Sequence, residues 1–299
     1  MIRNLGYLRL TSPHVEEWRS FATEILGLMA VEGGDPGALY LRMDDRPPRL
    51  VITPGEASAI GAIGLEVADR RELEAVAGAV GAAGTAVKEG AAEDAAERRV
   101  EALIQFEDPH GLPVEVYFSP ILDHRPLATP LVSGFVTGAM GMGHVVVAAP
   151  DLEASMAFWT GTLGFRHRDS MRVPMGPGKP MTIRFLGCNP RHHSVALMEA
   201  EYPGDLVHFM IEVASIDDVG MLLDRCADSG ITLQASLGRH TNDRVLSTYL
   251  VGPGGVAVEV GTGGLRVDDA TWTTQEITAV SFWGHKFVPG TTAKIKPKR

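Results

Sequence analysis

The sequence predicts an α+β protein of two tandem domains, each made of paired βαβββ modules that form a curved mixed sheet with helices outside it. Three observations carry this. Residues 5–28, LGYLRLTSPHVEEWRSFATEILGL, recur in form at 142–165, MGHVVVAAPDLEASMAFWTGTLGF. Residues 60–84, IGAIGLEVADRRELEAVAGAVGAAG, parallel 206–230, LVHFMIEVASIDDVGMLLDRCADSG, and residues 108–116, DPHGLPVEV, parallel 252–260, GPGGVAVEV. Matches that keep their order mean two copies of one unit. They put the boundary within RPLATPLVSGFVTG, giving one domain over 1–125 and a second over 138–299.

Each element has a local reason. The opening strand of each copy runs into a Pro-containing turn and then a helix. Val15, Trp18, Ala22 and Ile25 make the apolar stripe of the first helix; Leu152, Met156, Trp159 and Leu163 make its counterpart. Gly27 and Gly164 suit a left-handed helix end. The next strand of each copy ends in Glu-Val. It meets an N-cap, Asp69 or Ser215, with an acid three residues on (Glu72, Asp218), and a helix that stops at Gly. Residues 91–99, AAEDAAERR, read as a charged surface helix or loop with no chemistry. Near the end, apolar runs flank Pro253-Gly254-Gly255, a hairpin that brings Tyr249 close to Glu259.

Composition excludes several classes. The 299 residues carry a net charge of −10, and the sequence pI is about 5.5, without a concentrated basic face, so nucleic acid is not the expected partner. The short basic run 294–299 is a terminal tail. Two cysteines without Cys-x-x-Cys spacing indicate a reducing compartment, and no stretch has the length of a membrane span or a signal-peptide core. A cytoplasmic protein with no membrane partner is expected. The glycine-rich pieces at 176–178 and 261–264 lack the strand–loop–helix context of a phosphate cradle.

The two copies differ where chemistry is concerned. At matched positions the first has Tyr7, Ala62 and Glu115, whereas the second has His144, His208 and Glu259. A carboxylate inside VAVEV must face water, pair with a cation or bind a metal, because bare burial is costly. With two imidazoles on strands that the repeat assigns to equivalent places in its modules, convergence on one ion depends on strand parity. Two His and one carboxylate with open positions suit a divalent first-row metal, above all non-haem Fe(II); a catalytic zinc is compatible too.

GMGHVVVAAPDLEASMAFWTGTLGF, RHHSVAL, DLVHFMIEV, LGRHTNDRVLSTYL and GPGGVAVEVG, in that order and followed by Trp283-Gly-His, resemble the type I extradiol catechol dioxygenases, closest to those cleaving biphenyl-diol-like catechols. The resemblance covers nearly the whole chain and implies the vicinal oxygen chelate (glyoxalase-like) fold, Fe(II) or less often Mn(II), O2 as co-substrate, a small aromatic diol, and a homo-oligomer. It puts the metal on His144, His208 and Glu259, the acid–base imidazole at His193, and contacts to the catechol oxygens at His240 and Tyr249. Asp243 either orients a catalytic imidazole or makes a turn with Asn242. Phe185 and Val146 are expected in the pocket wall or plain core, and His192, of opposite parity to His193, is expected to face away. His110 and His124 are expected near exposed turns. Thr248 and Gly252 depart from the pattern, since an aliphatic and an acidic or small polar residue are usual there. The rival readings are a metal-dependent isomerase or lyase of the same superfamily, which would need no O2, and a non-catalytic small-molecule binder.

Overall fold

The computed structural model describes residues 2–46, 48–174 and 180–291, so the 176–178 glycine piece and the 294–299 tail lie outside the described residues. The first sheet contains β1 (Asn4–Ser12), β2 (Met29–Val31), β3 (Leu39–Arg42), β4 (Leu50–Pro54), β5 (Ala59–Glu66), β6 (Lys88–Glu89), β7 (Val100–Glu107) and β8 (Pro113–Pro120), in the order β2-β3-β4-β1-β5-β8-β7-β6. The second contains β9 (His144–Ala148), β10 (Arg166–Val173), β11 (Met181–Gly187), β12 (Val195–Met198), β13 (Leu206–Glu212), β14 (Leu233–His240), β15 (Leu246–Val251), β16 (Ala257–Thr262), β17 (Gln275–Ile277) and β18 (Ser281–Trp283). Its order is β17-β10-β11-β12-β9-β13-β16-β15-β14-β18. Without β17 and β18, which add to its two edges, the second sheet reproduces the first strand for strand. Both are mixed: β1/β4, β5/β8, β9/β12 and β13/β16 run parallel, while the central pairs β1/β5 and β9/β13 are antiparallel.

The helices are α1 (Val15–Ser20), α2 (Arg70–Ala82), α3 (Ala92–Arg98), α4 (Leu152–Met156) and α5 (Ile216–Asp228). α1 and α4 each continue as a π-turn, over Phe21–Ile25 and Ala157–Thr162, and each is followed by a glycine at φ +77 (Gly27, Gly164). Asp69 and Ser215 cap α2 and α5 by accepting from the backbone N–H of Glu72 and Asp218. These helices lie outside their own sheets as expected, yet they meet in the middle of the molecule. Trp18 packs against Phe209 of the second sheet, the Phe158 ring lies 6.0 Å from Phe106, and Trp159 donates to Asp108. One apolar core therefore runs through both halves.

Strand alternation sorts the second sheet into two faces. Val145, Val147, Phe209, Ile211, Val258 and Val260 point into that core. The residues between them, His144, Val146, His208, Met210 and Glu259, point to the other face, and all but Met210 line the cavity described below.

Candidate metal centre and active site

The register of three adjacent strands assembles the site. Met210 on β13 lies opposite His144 on one side and Glu259 on the other, and His208 lies opposite Val146. The chain enters β9 through Gly143, at φ +141, where a Cβ would come within 1.9 Å of the Met210 carbonyl oxygen; a larger residue here would push β9 away from β13. His144 Nε2 and His208 Nε2 are then 3.3 Å apart, and lie 3.2 and 3.3 Å from Glu259 Oε2. Two imidazole nitrogens facing each other this closely repel unless a proton or a cation lies between them. Glu259 is 1% exposed, and its buried Oε1, which makes no well-formed hydrogen bond, has His240 Nε2 3.2 Å away. Two imidazole nitrogens and one buried carboxylate converging this closely fit a divalent cation with positions to spare.

Other polar groups surround this cluster. Tyr249 on β15 is directly opposite Glu259 across the hairpin, and its hydroxyl is 2.8 Å from His240 Nε2. His240 Nδ1 faces the Val280 carbonyl at 3.1 Å, so that nitrogen carries a proton and donates. The His193 ring stacks 4.0 Å from that of His144, with Phe185 edge-on at 4.8 Å. Beyond them opens a cavity of about 640 Å3, lined by all nine residues singled out from the sequence: His144, Val146, Phe185, His193, His208, His240, Asp243, Tyr249 and Glu259. Its far end is apolar, with Met171, Met181, Ile183, Met198 and Val207.

Comparison with known proteins agrees with this geometry. Residues 5–55 match the model described as dihydroxybiphenyl dioxygenase BphC D1, and residues 141–260 match the glyoxalase/bleomycin resistance protein/dioxygenase superfamily. The chain is 47% identical to the iron-dependent extradiol dioxygenase of Rhodococcus jostii (strain RHA1), covering 97% of this chain and 98% of that protein. It is 42% identical to the biphenyl-2,3-diol 1,2-dioxygenase of Paraburkholderia xenovorans (strain LB400), covering 96% of each. The solved structure of BphC, a halotolerant catechol dioxygenase, superposes with a TM-score of 0.92 at 37% identity over 99% of each chain. The chain belongs to the extradiol dioxygenases.

It is thus an oxidoreductase of the O2-incorporating, catechol 2,3-dioxygenase type on the vicinal oxygen chelate fold. The electrostatics of the candidate site follow from burial and neighbours. Burial pushes the Glu259 carboxyl up, but hydrogen bonds from His144 and His208 outweigh it and hold it well below the usual carboxylate range. Burial, and then the charges of His144 and His192, hold His193 well below the usual imidazole range. The Tyr249 phenol is driven well above its ordinary value by burial and by Glu259. Asp243 does two things at once: its Oδ1 accepts from Val245 N–H at 3.1 Å, closing the turn, and its Oδ2 lies 3.7 Å from His193 Nδ1.

Several site features escaped the sequence reading. His192 does not face away. It is 1% exposed, its Nδ1 lies 3.1 Å from His193 Nδ1 and its Nε2 lies 2.9 Å from Asp169. The strand-parity argument fails because regular strand begins only at Val195. The segment after β17 forms the roof: Val280, Ser281, Gly284, His285 and Phe287 line the cavity. Ring contact holds His285 4.1 Å from His240, Ser281 is 2.6 Å from its Nδ1, and burial lowers its pKa to about 4. Only the triplet Trp283-Gly-His hinted at this, and Asp169 had no signal. Of the two departures, Thr248 points away from the cavity and bonds the Ala235 carbonyl at 2.9 Å. Gly252 lies in the turn against Trp18. His124 is exposed, and His110 is half-buried against the Asp151 carbonyl.

The matched positions of the first sheet explain why, among the described residues, it holds no comparable cluster. Tyr7 lies opposite Gly64, and Gly64 opposite Glu115, the same register as His144, Met210 and Glu259. There Glu115 accepts from the Tyr7 hydroxyl at 2.5 Å and from the Arg98 guanidinium at 2.6 Å. Arg98 ends α3, in the segment expected to be a charged surface without chemistry. Instead, α3 turns Glu97 and Arg98 inward, where Glu97 accepts from Tyr40 and Arg9. A guanidinium neutralises the buried carboxylate there.

Proposed function

We propose that this enzyme cleaves a catechol carrying an apolar substituent, inserting both atoms of O2 beside the diol, with Fe(II) held by His144, His208 and Glu259. The single observation carrying the reading is the convergence of those three ligand atoms within 3.3 Å at the polar end of an otherwise apolar cavity. Relatives are named as iron-dependent, and as acting on biphenyl-2,3-diol and on 3-methylcatechol. Iron bound there supplies a Lewis-acid charge that favours loss of a catechol proton and gathers diol and dioxygen into one complex. Tyr249 and His240 hold the two diol oxygens and fix which one ionises. His193 takes a proton and returns it as the ring opens. Phe185 and Val146 wall the ring, and Asp243 orients His193. The O–O bond and one ring C–C bond break, and the product carries the elements of catechol plus O2, so no external reductant is needed. Residues 138–299 carry this chemistry and residues 1–125 the repeat without it. The enzyme is a cytoplasmic homo-oligomer on this reading, which cell fractionation and light scattering test; among the described residues no helix is long and apolar enough to cross a membrane.

The test is anaerobic loading with Fe(II), then addition of a diol and air. One O2 consumed per diol with a yellow ring-opened product supports the reading; bound metal without O2 uptake favours an isomerase or a binder. The apolar end of the cavity predicts a higher kcat/KM for biphenyl-2,3-diol than for catechol. Burying a phenyl group contributes about 1.5–3 kcal/mol, or roughly 10- to 100-fold. Equal values for both diols would contradict the assignment of that wall to substrate.

A further inference from the structure

Behind His193 stands a chain of two buried groups, His192 and Asp169, that the proposed function does not use. Asp169 on β10 is 1% exposed, His192 1% and His193 2%. Asp169 Oδ1 accepts from the backbone N–H of Gln275 on β17 at 2.8 Å, and its Oδ2 is 2.9 Å from His192 Nε2. Trp272 meets the His192 ring edge to face at 5.4 Å and Phe185 lies tilted against it at 5.8 Å, which restrains the ring plane. His192 Nδ1 then lies 3.1 Å from His193 Nδ1.

The donors and acceptors of this chain permit one assignment for neutral rings. A carboxylate only accepts, so His192 Nε2 carries the proton and donates to Asp169. That leaves His192 Nδ1 a bare acceptor, which takes the Nδ1–H of His193. The Asp243 carboxylate, 3.7 Å from the same nitrogen, favours the proton there too. His193 Nε2 is left as the ring nitrogen with a free lone pair.

We propose that Asp169 and His192 are positioning residues for the dioxygenase reaction, holding His193 in one ring orientation and in the tautomer protonated at Nδ1, so that Nε2 is the proton-accepting atom. This rests on the acid–base reading of His193 given above. It also assigns a task to β17, one of the two strands that this sheet adds to the repeat: its Gln275 N–H fixes the Asp169 carboxylate.

Asp169→Asn inverts the chain. The Gln275 N–H still requires an oxygen, so the amide turns its NH2 toward His192 Nε2. That nitrogen must then accept, Nδ1 gains the proton, and His193 is driven to Nε2–H. In full-length protein loaded with diamagnetic Zn(II) and labelled with 15N-histidine, long-range 1H–15N correlations read the tautomer directly. The expected result is His193 protonated at Nδ1 in the native protein and at Nε2 in Asp169→Asn. With Fe(II), Asp169→Asn should lose about 10- to 100-fold in kcat, the range seen when a supporting partner is removed, while iron content and catechol KM stay within about twofold.

His192→Asn serves as the rescue. Its amide oxygen stands near the former Nδ1 and accepts from His193, so tautomer and turnover should be largely kept, whereas His192→Leu should lose both. Adding Asp169→Asn to His192→Asn should change nothing further. A folded Asp169→Asn, or His192→Leu if the former does not fold, that leaves His193 in its native tautomer overturns the proposal. So does a loss of turnover explained by lost iron alone. An inverted tautomer with undiminished turnover would instead sink the acid–base role of His193 while leaving the tautomer assignment standing.

Discussion

Glu259 pays for the site: a carboxylate 1% exposed, on a strand otherwise of small apolar residues, is stable only because cationic or hydrogen-bonding partners converge on it. His208→Ala removes one of them, and should cost metal and activity together, by more than the roughly 10- to 100-fold typical of a ligand's supporting partner. Iron content per chain and O2 uptake measured on the same sample check this; full activity with full iron would remove His208 from the ligand set. His193→Ala should behave differently, retaining iron and binding catechol while turnover falls about 10²- to 10⁴-fold, the usual range for a lost general acid–base group. Unchanged turnover there would remove it from the chemistry. These residues were legible because a two-His, one-carboxylate set on matched strands is a chemical pattern in its own right. His192 and Asp169 were not. One sits in an irregular stretch where alternation does not apply, and the other's partners lie 23 and 106 positions along the chain.

At the scale of single elements, the two copies use one strand register for opposite ends. β9, β13 and β16 present the candidate ligands His144, His208 and Glu259, whereas β1, β5 and β8 present Tyr7, Ala62 and Glu115, with α3 delivering Arg98. Nothing in AAEDAAERR distinguishes a solvated charge run from one that closes a sheet, since the partners that decide it, Tyr7 and Glu115, lie elsewhere in the sequence. Arg98→Ala should strand Glu115 and cost about 3–5 kcal/mol, the range for breaking a buried ion pair, seen as a lower denaturation midpoint. An effect below about 1 kcal/mol would mean the pair is screened like a surface bridge. The pH dependence has a definite sign. Burial raises the Glu115 pKa, but Arg98 and the other donors bring it below the ordinary glutamate value. Its contribution is therefore complete above the unfolded-state pKa and is lost as pH falls through the lower folded value. Native protein and Glu115→Gln should differ most near neutrality and converge on acidification below about pH 4; a difference that widened on acidification would reverse the assignment.

Over the whole molecule, the duplication was readable from sequence but the interlocking of its halves was not. Repeats report which strands and helices exist; they do not report that Trp18 rests on Phe209 or that Trp159 donates to Asp108. A chain begun at residue 126 would expose Phe158, Trp159 and Phe209, each costing about 1.5–3 kcal/mol against a typical total of 5–15 kcal/mol. That fragment should show no cooperative thermal transition by circular dichroism, although it contains every proposed catalytic residue; a sharp transition would mean the halves fold independently. The central claim is narrower, that one iron is held by three side chains of the second sheet with room beside it for a diol. A crystal structure of the Fe(II)-loaded protein, grown with catechol without oxygen, tests it most directly. The expected result is one iron bonded to His144, His208 and Glu259 and to both catechol oxygens, with the ring against Phe185 and Val146. Iron bound elsewhere, or a fourth protein side chain filling the position where the diol should sit, would contradict it.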